Sequence, residues 1–184
     1  MTSILKVDNL QDSSGTGTPY IKGAVLQVKY FQLTATPTVP YGTTLTDMVV
    51  PNFIVNITPR STSSIIKLEC NLVFEWANNA WDTMWFFYRN STKLGGFQEG
   101  IRMTGISPSL SSHSQPSSTN NDSTLEFATL TYFDAPTTTS AIDYKLGVVS
   151  NGTNSIFINK TISGTNNAAR ERGVSFISAT EIGG

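Results

Sequence analysis

The longest alternation of apolar and polar residues, from Ile66 to Trp76, constrains the fold of this chain more than any other feature. Its apolar positions are Ile66, Leu68, Cys70, Leu72, Phe74 and Trp76. Because successive side chains of a β-strand point to opposite faces, this period of two predicts a strand with one buried face. Cys70 then lies in the core, where a free cysteine behaves as a small hydrophobe. It is the chain's only cysteine, so no disulfide can form within one copy.

Shorter apolar segments predict further strands. The clearest runs from Ile142 to Val148, and the others cover residues 26–33, 53–58, 84–88, 124–133, 155–159 and 174–182. Turn-rich segments separate them, and the sequence has neither a convincing amphipathic helix nor an internal repeat. About eight to ten short strands joined by turns are typical of an antiparallel β-sandwich or jelly roll. We therefore predict an all-β fold.

One predicted strand changes its apolar parity. Its apolar residues fall at Leu26, Val28 and Tyr30 and then shift to Phe31 and Leu33. Such a change is typical of a β-bulge, or of a strand that passes from one sheet to another.

The N-terminal segment differs from the rest of the chain. Its apolar surface comes from Ile4, Leu5, Val7 and Leu10, and the sequence DSSGTGTP then forms a break before the first predicted strand. An isolated apolar arm needs a surface to cover it, which its own body, a sister subunit or a larger assembly could provide. We predict an attachment arm and hinge at residues 1–22, followed by a β-sandwich domain at 23–184.

Charge and targeting signals argue against several classes of protein. The net charge is −1, and charged residues make up 14% of the chain, against about 25% in typical globular domains. No strong field for nucleic acid or an acidic membrane follows from this balance. Lys6 and Asp8 interrupt the apolar start, so we expect no signal peptide. Without a run of about 18 apolar residues we also expect no transmembrane segment, and synthesis in a cytoplasm.

Residues that could carry chemistry are scarce. The only histidine, His113, lies in a Ser-rich segment without the ligands of a zinc site or the acid of a catalytic triad. Glu69 and Glu75 lie on the outward face of one predicted strand, about 20 Å apart and too far to act together, whereas Glu75 and Asp82 could approach across a turn. We predict no catalytic residue, cofactor or metal site, and keep a polysaccharide hydrolase as a third alternative.

Aromatic residues concentrate in residues 74–88, FEWANNAWDTMWFFY. Two strands around the turn ANNAWD would place Trp81 in the turn itself. An exposed ring beside Asn78, Asn79 and Asp82 is typical of a sugar-stacking platform with polar neighbours. Alternatively, Trp81 covers the edge of the core or fills a subunit interface, where tryptophan is enriched. These four residues form the candidate receptor or glycan contact, and a carbohydrate-binding module is the alternative function.

Four sequence segments together carry a family resemblance: SILKVDNLQDSSG, GAVLQVKYFQ, ITPRSTSSIIKLECNLVFEW and GVSFISATEIGG. They resemble bacteriophage virion proteins, most of all the C-terminal domains of tail-fibre and other fibre-like structural proteins in marine phages of cyanobacteria and related bacteria. The resemblance spans most of the chain. Its motifs are structural rather than catalytic.

The resemblance implies a non-enzymatic virion protein, made in the host cytoplasm. In such proteins an N-terminal segment attaches to other virion proteins, and the β-sandwich that follows usually forms a homotrimer and can contact a host surface glycan. The chain has no coiled-coil, β-helical or collagen-like shaft. We therefore expect a small spike, a capsid-attached fibre or a subunit of a tail appendage, with neither nucleic-acid binding nor membrane insertion.

Overall fold

The computed structural model describes residues 21–42, 44–76, 82–97, 99–109, 124–152 and 155–184. Within these ranges the chain forms eleven β-strands and no helix, which confirms the all-β prediction. In chain order the strands are β1 (Val25–Leu33), β2 (Thr38–Val39), β3 (Met48–Ile57), β4 (Ile65–Trp76), β5 (Thr83–Arg89), β6 (Thr92–Leu94), β7 (Ser107–Pro108), β8 (Glu126–Asp134), β9 (Ile142–Ser150), β10 (Ile156–Ile158) and β11 (Ser175–Ile182).

The strands form two antiparallel sheets that pack face to face. In sheet 1 the long strand β4 is central, with β8 along one side and β11 along the other, and β1 lies beyond β11. The end of β4 also pairs with β10, which in turn pairs with β2. Sheet 2 has the order β3–β9–β5–β6, and β7 pairs with β5. The chain is therefore a β-sandwich whose neighbouring strands come mostly from distant parts of the sequence.

The core lies between the sheets and is built by the alternation along β4. Leu68, Cys70, Leu72 and Phe74 are at most 1% exposed. Phe74 meets Trp85 of sheet 2 edge-on, with ring centroids 5.1 Å apart, an arrangement that aromatic pairs favour. Burial raises the pKa of the Cys70 thiol well above its usual value. Cys70 is thus a core residue, as the alternation predicts.

Three strands were not expected from the sequence. The strands β2, β6 and β7 have only two or three residues each, too few to show a periodicity. The strand β3 begins at Met48 rather than at Phe53, and its register shifts between Val49 and Ile54. Asn52 takes a left-handed backbone conformation, with φ of 58°. This irregularity interrupts the alternation that would otherwise mark the first half of β3.

The change of parity in β1 has a different cause from the one expected. The register between β1 and β11 shifts between Val25 and Gln27, but the pairing is regular from there to Leu33. No bulge or change of sheet accompanies the switch at Tyr30 and Phe31. Both faces of β1 carry apolar residues, and those of the outer face are exposed.

A buried polar cluster ties the two sheets together. Asp134, at the end of β8, accepts a hydrogen bond of 2.7 Å from the Tyr144 hydroxyl of β9 and one of 2.9 Å from Arg89 of β5. Asp134 is 6% exposed and Tyr144 is fully buried. Because a buried carboxylate is costly without partners, these contacts hold β8 over sheet 2.

Candidate functional site

Most of the predicted contact residues fall outside the described part of the chain. This holds for Trp81, Asn78 and Asn79 of the candidate glycan contact. It also holds for His113 and for the four apolar residues of the arm, Ile4, Leu5, Val7 and Leu10. Asp82 is described. It is exposed, has φ of 52°, and accepts a hydrogen bond from the backbone N–H of Asn151 at its carbonyl.

The carboxylates weighed as catalytic groups are engaged in structural contacts. Glu75 was expected on the outward face of its strand, but it is 1% exposed. Its carboxylate accepts hydrogen bonds from the backbone N–H groups of Thr124, at 2.9 Å, and of Ile162, at 2.6 Å. Two chain segments therefore cover Glu75, and this corrects its expected exposure. Glu69 does face outward, and its carboxylate lies 2.8 Å from the Lys67 amine.

The outer face of sheet 1 is the most distinctive surface of the described structure. We define this outer face as the outward-pointing residues of four adjacent strands. The cross-strand register, from β1 through β11 and β4 to β8, aligns them in three rows: Val28, Thr180, Lys67 and Phe133; Tyr30, Ser178, Glu69 and Thr131; and Gln32, Phe176, Asn71 and Thr129. A shorter row pairs Val73 with Phe127.

Large apolar side chains on this outer face are exposed. Tyr30 is 75% exposed, Phe127 65%, Phe133 58% and Phe176 41%. Isolated surface hydrophobes are common, but apolar patches of more than a few hundred Å² on one surface mark interaction sites. Tyr30 and Phe176 occupy diagonal positions on neighbouring strands, where aromatic side chains are within reach of each other.

The polar residues among these rings carry little net charge. The charged pair consists of Lys67 and Glu69, which neutralise each other. The other residues at the centre of the outer face have small or neutral side chains, such as Ser178, Thr131 and Asn71. The Asn71 side-chain oxygen accepts a hydrogen bond from the Thr129 hydroxyl. The outer face therefore combines exposed rings with hydroxyl and amide groups and has no strong field of either sign.

Sheet 2 covers its own outward aromatic residue. Phe86 points away from the core in register with Gly147, yet it is fully buried. The Lys93 amine lies 4.1 Å from its ring centroid, and Tyr88 meets the ring edge-on. A Cβ on Gly147 would lie 2.3 Å from the Phe86 ring, so only glycine fits beneath it. The two sheets therefore differ: Phe86 is enclosed, whereas the rings of the outer face are open.

The strands β1 and β8 form the two lateral edges of this surface. Among the described residues, β1 pairs only with β11 and β8 pairs only with β4. An edge strand is a position where another chain can join or cover a sheet. The rings of Tyr30 and Phe133 stand on these two edge strands.

The outer face was not identified from the sequence. In β8 the aromatic residues Phe127 and Phe133 occupy the parity opposite to the buried Ala128 and Leu130. The available signal in the sequence was the presence of apolar residues at both the odd and the even positions of this strand. Only the register between strands shows that they share a surface with Tyr30.

Comparison of the sequence with models of known families gives no match, and neither does comparison with curated proteins. In the ranges described above, no group of His, Cys, Asp and Glu could hold a metal ion. Those ranges also contain no helix with the length and apolarity that crossing a membrane requires.

Proposed function

We propose that this chain is a non-enzymatic phage virion protein, a homotrimeric β-sandwich that forms part of a fibre, a spike or a tail appendage. The observation that carries the proposal is the outer face of sheet 1, with Tyr30, Phe127, Phe133 and Phe176 exposed together in one copy. Exposed apolar patches on a folded protein mark surfaces that interact with another protein, a ligand or a membrane. A closed oligomer covers such a patch in every copy.

The strand order supports a viral structural role. Sheet 1 has the order β1–β11–β4–β8 and sheet 2 the order β3–β9–β5–β6. In both sheets a strand from the second half of the chain, β11 or β9, thus lies between two strands from the first half. A jelly roll of two Greek keys has such an order, and jelly rolls recur in viral capsid and lectin domains.

The use of the acidic residues supports a non-enzymatic protein. Glu75 and Asp134 are buried and hold backbone or side-chain donors within the sandwich. Glu181 is fully buried and accepts hydrogen bonds from the Ser64 hydroxyl and the Gln27 amide. A glycoside hydrolase needs two carboxyl groups aimed at a substrate cleft, and these three act as structural anchors.

The arm at residues 1–22 completes the proposed role, with Ile4, Leu5, Val7 and Leu10 as its anchors on other virion proteins. The described chain begins at Ile21, next to the end of β11, where the Gly23 N–H donates to the Gly183 carbonyl at 2.6 Å. Deletion of residues 2–18 should leave the melting temperature of the sandwich unchanged and abolish incorporation into particles. A large fall in melting temperature would contradict an attachment role.

The trimer is tested by the mass of the purified protein in solution. Light scattering at micromolar concentration should give three times the 20.0 kDa mass of one chain. A stable monomer would refute the proposed assembly. Incubation with host polysaccharides should release no new reducing ends, and their release would refute the non-enzymatic assignment.

Host-glycan binding is the second candidate function, supported by the exposed Asp82 next to the segment of Trp81, Asn78 and Asn79. A flat ring covers the C–H face of a sugar, and amide and carboxylate groups replace water at its hydroxyls. A glycan array should then give a specific signal that Trp81→Ala removes without changing the oligomer mass. Absence of any signal would leave the purely structural role.

A further inference from the structure

We infer that the outer face of sheet 1 is the trimer interface, and that its β1–β11 half in one copy packs against its β4–β8 half in the next. This inference rests on the proposed function, from which it takes the three-fold assembly. It adds which surface forms the trimer contact, that the partner is a second copy of this chain, and which half of the face each copy contributes.

Each half of the outer face carries its own exposed apolar residues. The β1–β11 half contributes Val28, Tyr30 and Phe176, and the β4–β8 half contributes Phe127 and Phe133. Two different halves that meet form a head-to-tail contact, which closes into a ring when the rotation between copies fits. Three copies with this face turned toward the symmetry axis bring each half against a neighbour.

The charges of the outer face suit a contact with a second copy. Lys67 and Glu69 lie 2.8 Å apart, and their side chains are 33% and 39% exposed. They therefore enter the interface already paired, so neither is left as an isolated buried charge, which is the costly case. A neutral face approaches an identical face without repulsion. A basic or acidic partner would gain little from it.

The area of the outer face sets the size of each contact. Four strands at about 4.8 Å spacing and nine residues of length give about 500 Å² in projection, and the side chains standing above the sheet add to this area. In a closed trimer each copy buries both halves, one against each neighbour. Each contact is therefore smaller than the roughly 800 Å² per partner of a standard protein interface, and closure of the ring holds each copy by two such contacts.

The experiment compares substitutions on the two halves with a matched control. Tyr30→Lys changes the β1–β11 half and Phe133→Lys the β4–β8 half, and both side chains are more than half exposed in one copy, so the fold tolerates a charge there. Phe97→Lys is the control, because Phe97 is 90% exposed and lies outside sheet 1. Melting temperatures establish that each variant is folded.

Every contact in the proposed ring contains one half of each kind, so either substitution alone should reduce the mass from trimer to monomer. The Phe97→Lys variant should remain a trimer. A trimer that persists in both face variants overturns the inference and leaves the proposed trimer intact. Dissociation by only one of them overturns the half-to-half contact. The mass of the unmodified protein tests the trimer of the proposed function separately.

Discussion

Tyr144→Phe should destabilise the sandwich by removing one hydrogen bond between the sheets. The Tyr144 hydroxyl is buried and donates to Oδ2 of Asp134 at 2.7 Å, and Asp134 keeps Arg89 as its other partner. A hydrogen bond to a charged group contributes about 1.5–3 kcal/mol. Because Arg89 remains, we expect a loss near the lower end, about 1.5–2 kcal/mol. The phenylalanine ring fills the same space, so no cavity adds to this loss.

Urea unfolding of the wild type and the variant measures this loss, with Phe97→Leu as the control. The Phe97 side chain is 90% exposed and lies outside the outer face, so the control should change the unfolding free energy by less than about 0.5 kcal/mol. In an Asp134→Ala background, Tyr144→Phe should cost much less than in the wild type, since the acceptor is already gone. An equal cost in both backgrounds would refute the proposed role of this hydrogen bond.

The pH dependence of stability provides an independent measurement of the same contact. Burial and the hydrogen bond to Asp134 raise the pKa of Tyr144 well above its usual 10.0. The unfolded chain therefore loses this proton at a lower pH than the folded chain. The corresponding stability is complete below pH 10 and falls as the pH rises above it. In Tyr144→Phe the alkaline loss of stability should be smaller, and an unchanged loss would assign it to other groups.

Further predictions concern three buried positions. Burial raises the pKa of Glu181, but hydrogen bonds from Ser64, Gln27 and the Arg60 backbone outweigh this effect, so the pKa lies below the usual 4.5. The stability that Glu181 contributes should be complete above pH 4.5 and fall as the pH drops through the folded pKa. This part of the acid-dependent loss of stability should be absent in Glu181→Gln. Cys70, 1% exposed, should react with a thiol reagent only as fast as the protein unfolds; rapid labelling of the folded protein would contradict its position. Gly147→Ala should cost about 1–3 kcal/mol in urea unfolding, because its Cβ would lie 2.3 Å from the Phe86 ring; an unchanged midpoint would mean that Phe86 moves freely.

The sequence predicts those strands that bury one face over many residues. The alternation from Ile66 to Trp76 holds for eleven positions because the inner side of β4 faces core along its whole length. Periodicity is weaker where a strand is short, as in β6, or where Asn52 turns the backbone of β3 into the left-handed region. Local pattern therefore predicts the strands of the sandwich better than its shorter edge elements.

The outer face could not be predicted in the same way, because it depends on register between distant strands. Tyr30 and Phe133 are about a hundred residues apart in the chain and meet on one surface only through the pairing of β11 with β4. Within β1, the apolar residues change from even to odd positions. A bulge would explain this change, and so would a strand with apolar residues on both its buried and its exposed face. The register of the assembled sheet distinguishes the two explanations.

The position of Glu75 separates the outer face from the loops at one end of the sandwich. Glu75 lies on the outward side of β4 and would extend the outer face beyond Val73. The segments at Thr124 and Ile162 cover Glu75, because their backbone N–H groups donate hydrogen bonds to its carboxylate. The open surface therefore ends before Trp76, which precedes the segment proposed for glycan contact. A trimer that buries the outer face consequently leaves Asp82, the described residue of that segment, outside the strands that form the contact. Substitution of Asp82 and substitutions in the outer face should then affect host contact and assembly independently of each other.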